Sequence, residues 1–564
     1  MKLDYSSRLM SLSTSAAKIS HAHEEDADPK YKWKVLIAVM FGIFMIILDS
    51  TVVNVAFQTL RNEFGRPLAD TQWVLSIYVL ALGITTPVTG YLGDRFGTKY
   101  IYLIGLAMFA FGSLLCGIAP TLPLLIAARA LQGIGGGLAQ PLSAAMLYRA
   151  FPMREIGKAL GIFGIVLTVA PALGPILGGL LVDANLWRAI FFLNLPVGIT
   201  GVFLGLRFLK NDKAAVKPAF DPLGLVLAVV GFGSVLYAAS VAESSGWADP
   251  STLSFFAVGV VSLIAFAIVE LKVVKEPLLN LRLFGKRVFL NATLIGYVAT
   301  VALFGAEFLM PVYLQALRGR TALEAGMTLL AVAAASAITT PLAGRLYDKI
   351  GPRPLVVVGF ALLCVNTWQL AQLEALTPIT TILGLLFIRG LAVGLTLQTT
   401  FTTALGAVPR EQLARGSSLQ NSTRFVVQAL AVAALATVLT SSLSPAMREQ
   451  QEKAREAAPM VKSTARFGIC ETPGVAAEDN VPESARAALA GVPEAQRAAA
   501  LAKIRAGLQT ICDENIQGFE NTYRITFYAS LVALLLGLFL PGWPAKWAGR
   551  SGQQGAPPAP SGGH

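Results

Sequence analysis

Two carboxylates stand where carboxylates are costly. Asp49 lies in the run IILDSTVVNVAF (Ile46–Phe57), and Glu307 lies between Phe304 and Phe308 in a second apolar run. An aspartate at the centre of a membrane span costs about 2.5–3.5 kcal/mol on insertion scales. Burial disfavours the charged form of a carboxylate, so such a group can take up and release a proton. No imidazole competes for that role, because the three histidines are His21, His23 and His564, all near the chain ends. Of 33 Asp and Glu residues, only Asp49 and Glu307 fall well inside apolar spans. Arg129, in AARALQGIGGGLAQP, is a buried cation that needs acceptors or tunes a nearby carboxylate. Gln132 follows it on the same helical face. Asp49 also has a plainer reading as an anchor satisfied by Ser50, Asn54 or the Arg129 region.

These residues need spans to hold them. The chain has 564 residues, 54% hydrophobic and 14% charged, where soluble proteins carry about 25% charge. Apolar runs of about 20 residues recur, each long enough to cross a ~30 Å hydrocarbon core. About fourteen spans are expected, which makes an all-α integral membrane protein. Lys30, Lys32, Lys34, Arg149, Arg154, Lys158, Lys272, Lys275, Lys286 and Arg287 fall at one side, and Arg61, Arg66, Arg188, Arg318 and Arg320 at the other. That asymmetry predicts cytoplasmic termini and explains the net charge of +12 without nucleic acid. No apolar core precedes Trp33, so the first span is expected to be the insertion signal.

The spans are read as two halves. TPVTGYLGDRFGTKYI (Thr86–Ile101) aligns without gaps on TPLAGRLYDKIGPRPL (Thr340–Leu355), pairing Gly90 with Gly344, Asp94 with Asp348, Arg95 with Lys349 and Gly97 with Gly351. The predicted divisions are a tail over 1–33, a six-helix bundle over 34–210, two additional spans over 222–272, a second six-helix bundle over 288–542, and a disordered tail over 543–564. Parallel halves of this kind hold a ligand between them near the midplane. Glu307 follows Asp49 by 258 residues and the repeated loops are 254 apart, so both acids are expected to face one cavity. The paired loops could latch helix ends and release them when the halves rock. Asn54, Gln132, Phe304, Phe308 and Tyr313 are candidate cavity residues, the aromatics through cation–π contact. APALGPILGG places Pro171, Gly174, Pro175, Gly178 and Gly179 in one span, a helix that proline bends and glycine lets pack closely.

Together LDSTVVNVAF, GYLGDRFGTK, RALQGIGGG, APALGPILGG and PVYLQALRGRTALEAG resemble the major facilitator superfamily, and within it the fourteen-spanner drug/proton antiporters of the EmrB/QacA type. The resemblance covers about residues 34–445 and 523–542. It implies efflux of hydrophobic, often cationic compounds in exchange for protons, by alternating access across a bacterial inner membrane. Thr98 and Ala170 depart from the residues frequent there, a basic residue and a glycine. Dedicated export of one physiological compound, such as a fatty acid, siderophore or peptide, is the alternative, and a non-transporting receptor or scaffold a third.

Residues 444–522 form a large polar loop expected outside, with one or two short helices and a Cys470–Cys512 disulfide, which an oxidising compartment permits. It could meet a periplasmic adaptor protein. The sequence holds no phosphate loop, nucleophile elbow or metal-ligand cluster. The expected partners are therefore small molecules, protons and lipids, with no cofactor, no metal and no enzymatic activity.

Overall fold

The computed structural model describes residues 30–210, 221–441, 470, 489 and 492–542. Within them the chain is helical with no strand. The first six helices are α1 (Tyr31–Phe64), α2 (Leu68–Phe96), α3 (Thr98–Ile118), α4 (Leu122–Ala150), α5 (Ile156–Asp183) and α6 (Asn194–Phe208). Two follow, α7 (Pro222–Ser245) and α8 (Pro250–Ile268). The last six are α9 (Arg287–Val312), α10 (Ala322–Ile350), α11 (Pro352–Leu370), α12 (Ile379–Gly406), α13 (Leu413–Ser441) and α14 (Glu494–Gly537).

Twelve of the described helices are long and apolar enough to cross a membrane. The other two expected spans fall on α9, apolar over Arg287–Ala302, and on the end of α14, which begins in polar sequence. The outward faces of the twelve carry large exposed apolar side chains such as Phe111, Phe203, Val261 and Ile338, as lipid contact requires.

Packing repeats between the two sets of six. α1 packs on α4, α5 and α6, and α9 packs on α12, α13 and α14. α4 lies against α2 and α3, as α12 lies against α10 and α11. The sets meet along two seams, α5 on α10 and α2 on α13. α7 and α8 pack together, and α7 leans on α2 and α13.

Among the described residues, the outer loop's helix is not a short one but the start of α14. It is one helix of 44 residues, about 66 Å at 1.5 Å per residue, or twice a ~30 Å hydrocarbon core. Its first half, EAQRAAALAKIRAGLQ, is rich in strong helix formers, so nothing stops the helix where polarity changes. Cys512 on α14 is disulfide-bonded to Cys470, and the Cys470 N–H donates to Leu317 O at 2.9 Å. Both sulfurs are buried with Leu314, Phe519 and Tyr523. The bond closes a loop of 42 residues, which is expected to contribute about 2–4 kcal/mol by restricting the unfolded chain. Reductant, or the C470S/C512S double variant, should lower the melting temperature by several degrees in detergent. An unchanged melting curve would show that the crosslink adds nothing. The rest of 444–522 outside the described positions, and the tails 1–29 and 543–564, lie beyond what the structure describes.

Candidate functional site

The first group of buried charges is built on α1, α3, α4 and α6. Helical spacing places Arg129 and Gln132 on one face of α4, toward α1. Asp49 accepts from Arg129 NH1 at 2.5 Å, from Asn194 Nδ2 at 2.7 Å and from Gln132 Nε2 at 3.2 Å. Arg129 also donates through Nε to Val74 O at 3.1 Å and through NH1 to Gln132 Oε1 at 3.0 Å. Its guanidinium lies 4.2 Å from the centre of the Tyr78 ring. The Tyr78 hydroxyl donates to Ile46 O, while Asn194 also donates to Ser113 and Cys116 to Gln132. Asp49 and Arg129 are both 1% exposed. A buried ion pair is tolerable only when its remaining donors and acceptors are satisfied, and this one is embedded in such a network.

The sequence therefore located the charge, and the structure supplies its partners. Of the three anchors considered, only the Arg129 region holds Asp49. The Ser50 hydroxyl turns back to Ile47 O, and Asn54 is exposed on α1. Gln132 is fully buried in the ion-pair network rather than lining a cavity. Asn194, Ser113 and Cys116 were not anticipated, because uncharged polar residues in a span carry no cost signal. Tyr313 is a correction. It lies in the turn just past α9, is 1% exposed, packs edge-on against Phe519 of α14 and donates its hydroxyl to Glu374 O, so it is a packing residue. α9 continues helical through Phe304, Glu307 and Phe308, whose side chains lie outside the described residues.

The second group joins the two halves at the end carrying the basic loops. Asp94, on the last turn of α2, accepts from Arg415 Nε at 2.9 Å and Arg149 NH2 at 3.4 Å. Asp348, its repeat partner on the last turn of α10, accepts from the backbone N–H of Gly157 at 2.9 Å and Lys158 at 3.0 Å. The positive end of the α5 dipole thus plays the part that Arg415 plays for Asp94. Arg415 and Lys158 are each the third residue of their helix. Gly97 and Gly351 follow with φ of +99° and +82°, a region that favours glycine. Arg95 donates to Tyr91, and Lys349 is exposed.

The seams are closed by glycine. A Cβ on Gly90 would lie 2.7 Å from Arg415 Cα, and one on Gly344 would lie against Gly157 O at 2.1 Å. α5 runs unbroken through Pro171 and Pro175. A Cβ on Gly174 or Gly178 would meet Thr51 or Val52 of α1 within 3.0 Å. Pro175 itself packs against Gly326 of α10, while Gly179 has ordinary contact distance to Leu323. α5 therefore ties α1, two to three residues from Asp49, directly to the other half.

The profile of the Major Facilitator Superfamily matches residues 39–432. The chain belongs to that family. An uncharacterised MFS-type transporter of Bacillus subtilis, YhcA, is 35% identical over 74% of this chain and 78% of its own length. The multidrug resistance protein B homolog of Mycobacterium tuberculosis is 32% identical over 70% of this chain and 74% of its own. A solved structure of the proton:xylose symporter XylE superposes with a TM-score of 0.56 at 14% identity, covering 92% of this chain and 97% of that one. That likeness concerns the fold. This protein is accordingly a multi-pass membrane transporter of the superfamily, with relatives named for drug resistance.

Proposed function

We propose that the protein is a proton-coupled antiporter that exports hydrophobic small molecules, cations among them, from the cytoplasm by alternating access. The observation that carries this reading is the Asp49–Arg129 pair, sealed in the first half and one turn from the α1–α5 contact. Adding a proton to Asp49 removes the negative partner and leaves Arg129 uncompensated. Breaking a buried pair in that way costs about 3–5 kcal/mol. Shifting a two-state equilibrium from 1:99 to 99:1 takes about 5.5 kcal/mol, so one proton supplies much of what a switch requires. The rearrangement passes from α1 through Gly174 and Gly178 to α5, and from α5 to α10 at Gly157 and Gly344. Glu307 is proposed as the second acid, on the matching helix of the other half. The Asp94 and Asp348 contacts are read as cytoplasmic latches that hold one state. The lowest-cost route for energy is then an ion gradient across a bacterial inner membrane.

The test is pH-gradient-driven uptake of a dye such as rhodamine 6G into inverted vesicles. Asp49→Asn and Glu307→Gln should each lower the proton-driven rate by about tenfold or more, with the protein still inserted. Full gradient-driven uptake in both variants rejects proton coupling through these acids.

A further inference from the structure

Arg424, a half-buried arginine, has no counterpart to Asp49 among the described residues. Arg424 lies on α13, nine residues beyond Arg415, which is about 14 Å along the helix. It lines a pocket with Thr293 and Tyr297 of α9, Thr400 and Phe401 of α12, and Gln420 of its own helix. Its Nε is shut off from solvent and has no hydrogen-bond partner. Its NH2 reaches only Asn421 Oδ1, at 3.5 Å, three residues back on the same helix. Gln420 turns its Nε2 to Thr293 at 3.4 Å and leaves its Oε1 unpaired in the same pocket. The Tyr297 hydroxyl donates to Thr423, whose own hydroxyl donates to Leu419 O. Among the described residues no carboxylate pairs with Arg424. Arg129, by contrast, has a carboxylate, a carbonyl, an amide and an aromatic face, and the equally buried Arg389 donates to the Ala302 carbonyl and the Asn366 amide.

A guanidinium held in low dielectric without an acceptor is costly. Its planar fork fits two oxygens of a carboxylate, sulfonate or phosphate side by side. The remaining walls, Ala292, Leu397 and Phe401, are apolar. We propose that this pocket is an anion subsite in the second half, where Arg424 takes the acidic group of an amphiphilic organic anion and Gln420 pairs with a polar group beside it. The exporter would then accept acid-bearing hydrophobic compounds as well as cations. The subsite rests on the export reading, but binding to it can be measured without transport.

Fluorescein and rhodamine 6G share a xanthene frame and differ in charge, so they serve as paired probes. Each is titrated by fluorescence polarisation onto the full-length protein in phosphatidylcholine vesicles. Arg424→Gln should weaken fluorescein relative to rhodamine 6G by about tenfold, the size of a lost charge-assisted hydrogen bond. Arg424→Lys, which keeps the charge and loses the fork, should fall between that variant and the original protein. An unchanged ratio in R424Q, or both dyes weakened by one factor, overturns the proposal. Should R424Q not fold, R424K decides, and an unchanged ratio there overturns it equally. Competition by phosphatidylglycerol added to the vesicles assigns the anion to lipid headgroups, and its absence assigns it to soluble acids. If a pH gradient drives neither dye through the unaltered protein, the export reading fails while the polarisation titration still decides the subsite.

Discussion

Arg129→Met is expected to be more damaging than Arg129→Met combined with Asp49→Asn. The single change leaves the Asp49 carboxylate in place with two neutral amide donors, Asn194 and Gln132, and no positive charge. An uncompensated buried charge of this kind costs about 3–5 kcal/mol. The double variant removes both charges and retains amide partners on every side. Its stability should recover most of the loss, because a buried pair replaced as a unit is often nearly neutral. Melting curves by size exclusion after heating would read the difference. R129M should melt many degrees lower, D49N/R129M only a few, and proton-driven export should be absent from both. If the double variant melts no higher than R129M, the pair is not the compensated unit described above. If it exports with a pH gradient, Asp49 is not the coupling group.

The sequence reached the elements of this site unevenly, and the reasons are physical. Asp49, Arg129 and Glu307 stand out because an ionised side chain in a span is expensive, so its presence demands a reason. Asn194 and Ser113 complete the same network, yet neutral polar residues occur in many spans and nothing in their spacing marks them. Tyr313 shows the opposite failure. An aromatic at helical spacing has the same signature whether it faces a cavity or a neighbouring helix, and here α14 covers it. Arg424 was within reach, since it is an arginine inside the span Arg410–Leu439. Its place in the polar run SSLQNSTRF hid it among residues that read as a helix end. The Asp94 and Asp348 contacts were legible as a repeat but not as chemistry: equivalent aspartates take a side chain in one half and backbone N–H groups in the other. The two-half organisation was also legible, because duplication leaves matched residues at a fixed offset while packing faces leave only periodicity.

The repeat pairs Gly90 with Gly344, and the structure gives that pairing a steric cause. Each glycine stands one turn before its latch aspartate, and each lets its helix touch backbone of the opposite half. The first meets Arg415 Cα and Ala414 O, the second Gly157 O and Gly161 Cα. On the proposed alternating-access cycle, these contacts break when the basic end opens. A side chain at either position therefore acts on one conformation and spares the other, so its effect is on the population of states. Overpacking a close contact costs about 1–3 kcal/mol. Here the neighbours are main-chain atoms that cannot rotate away, which puts Gly344→Val at the upper end. Separating α5 from α10 also withdraws Asp348 from the Gly157 and Lys158 amides, so the latch weakens in the same step. With states separated by a few kcal/mol, the closed-to-open ratio should fall by about ten- to a hundredfold. A cysteine at Thr402, buried at the closed end beside Tyr148, reports that change through its rate of reaction with a maleimide. In a background where Cys116 and Cys364 are serine, G344V and G90V should each raise that rate by about tenfold or more and reduce export by a similar factor. Unaltered labelling together with intact export in both variants would mean that the glycine seams are ordinary packing and that closure of this end is set elsewhere.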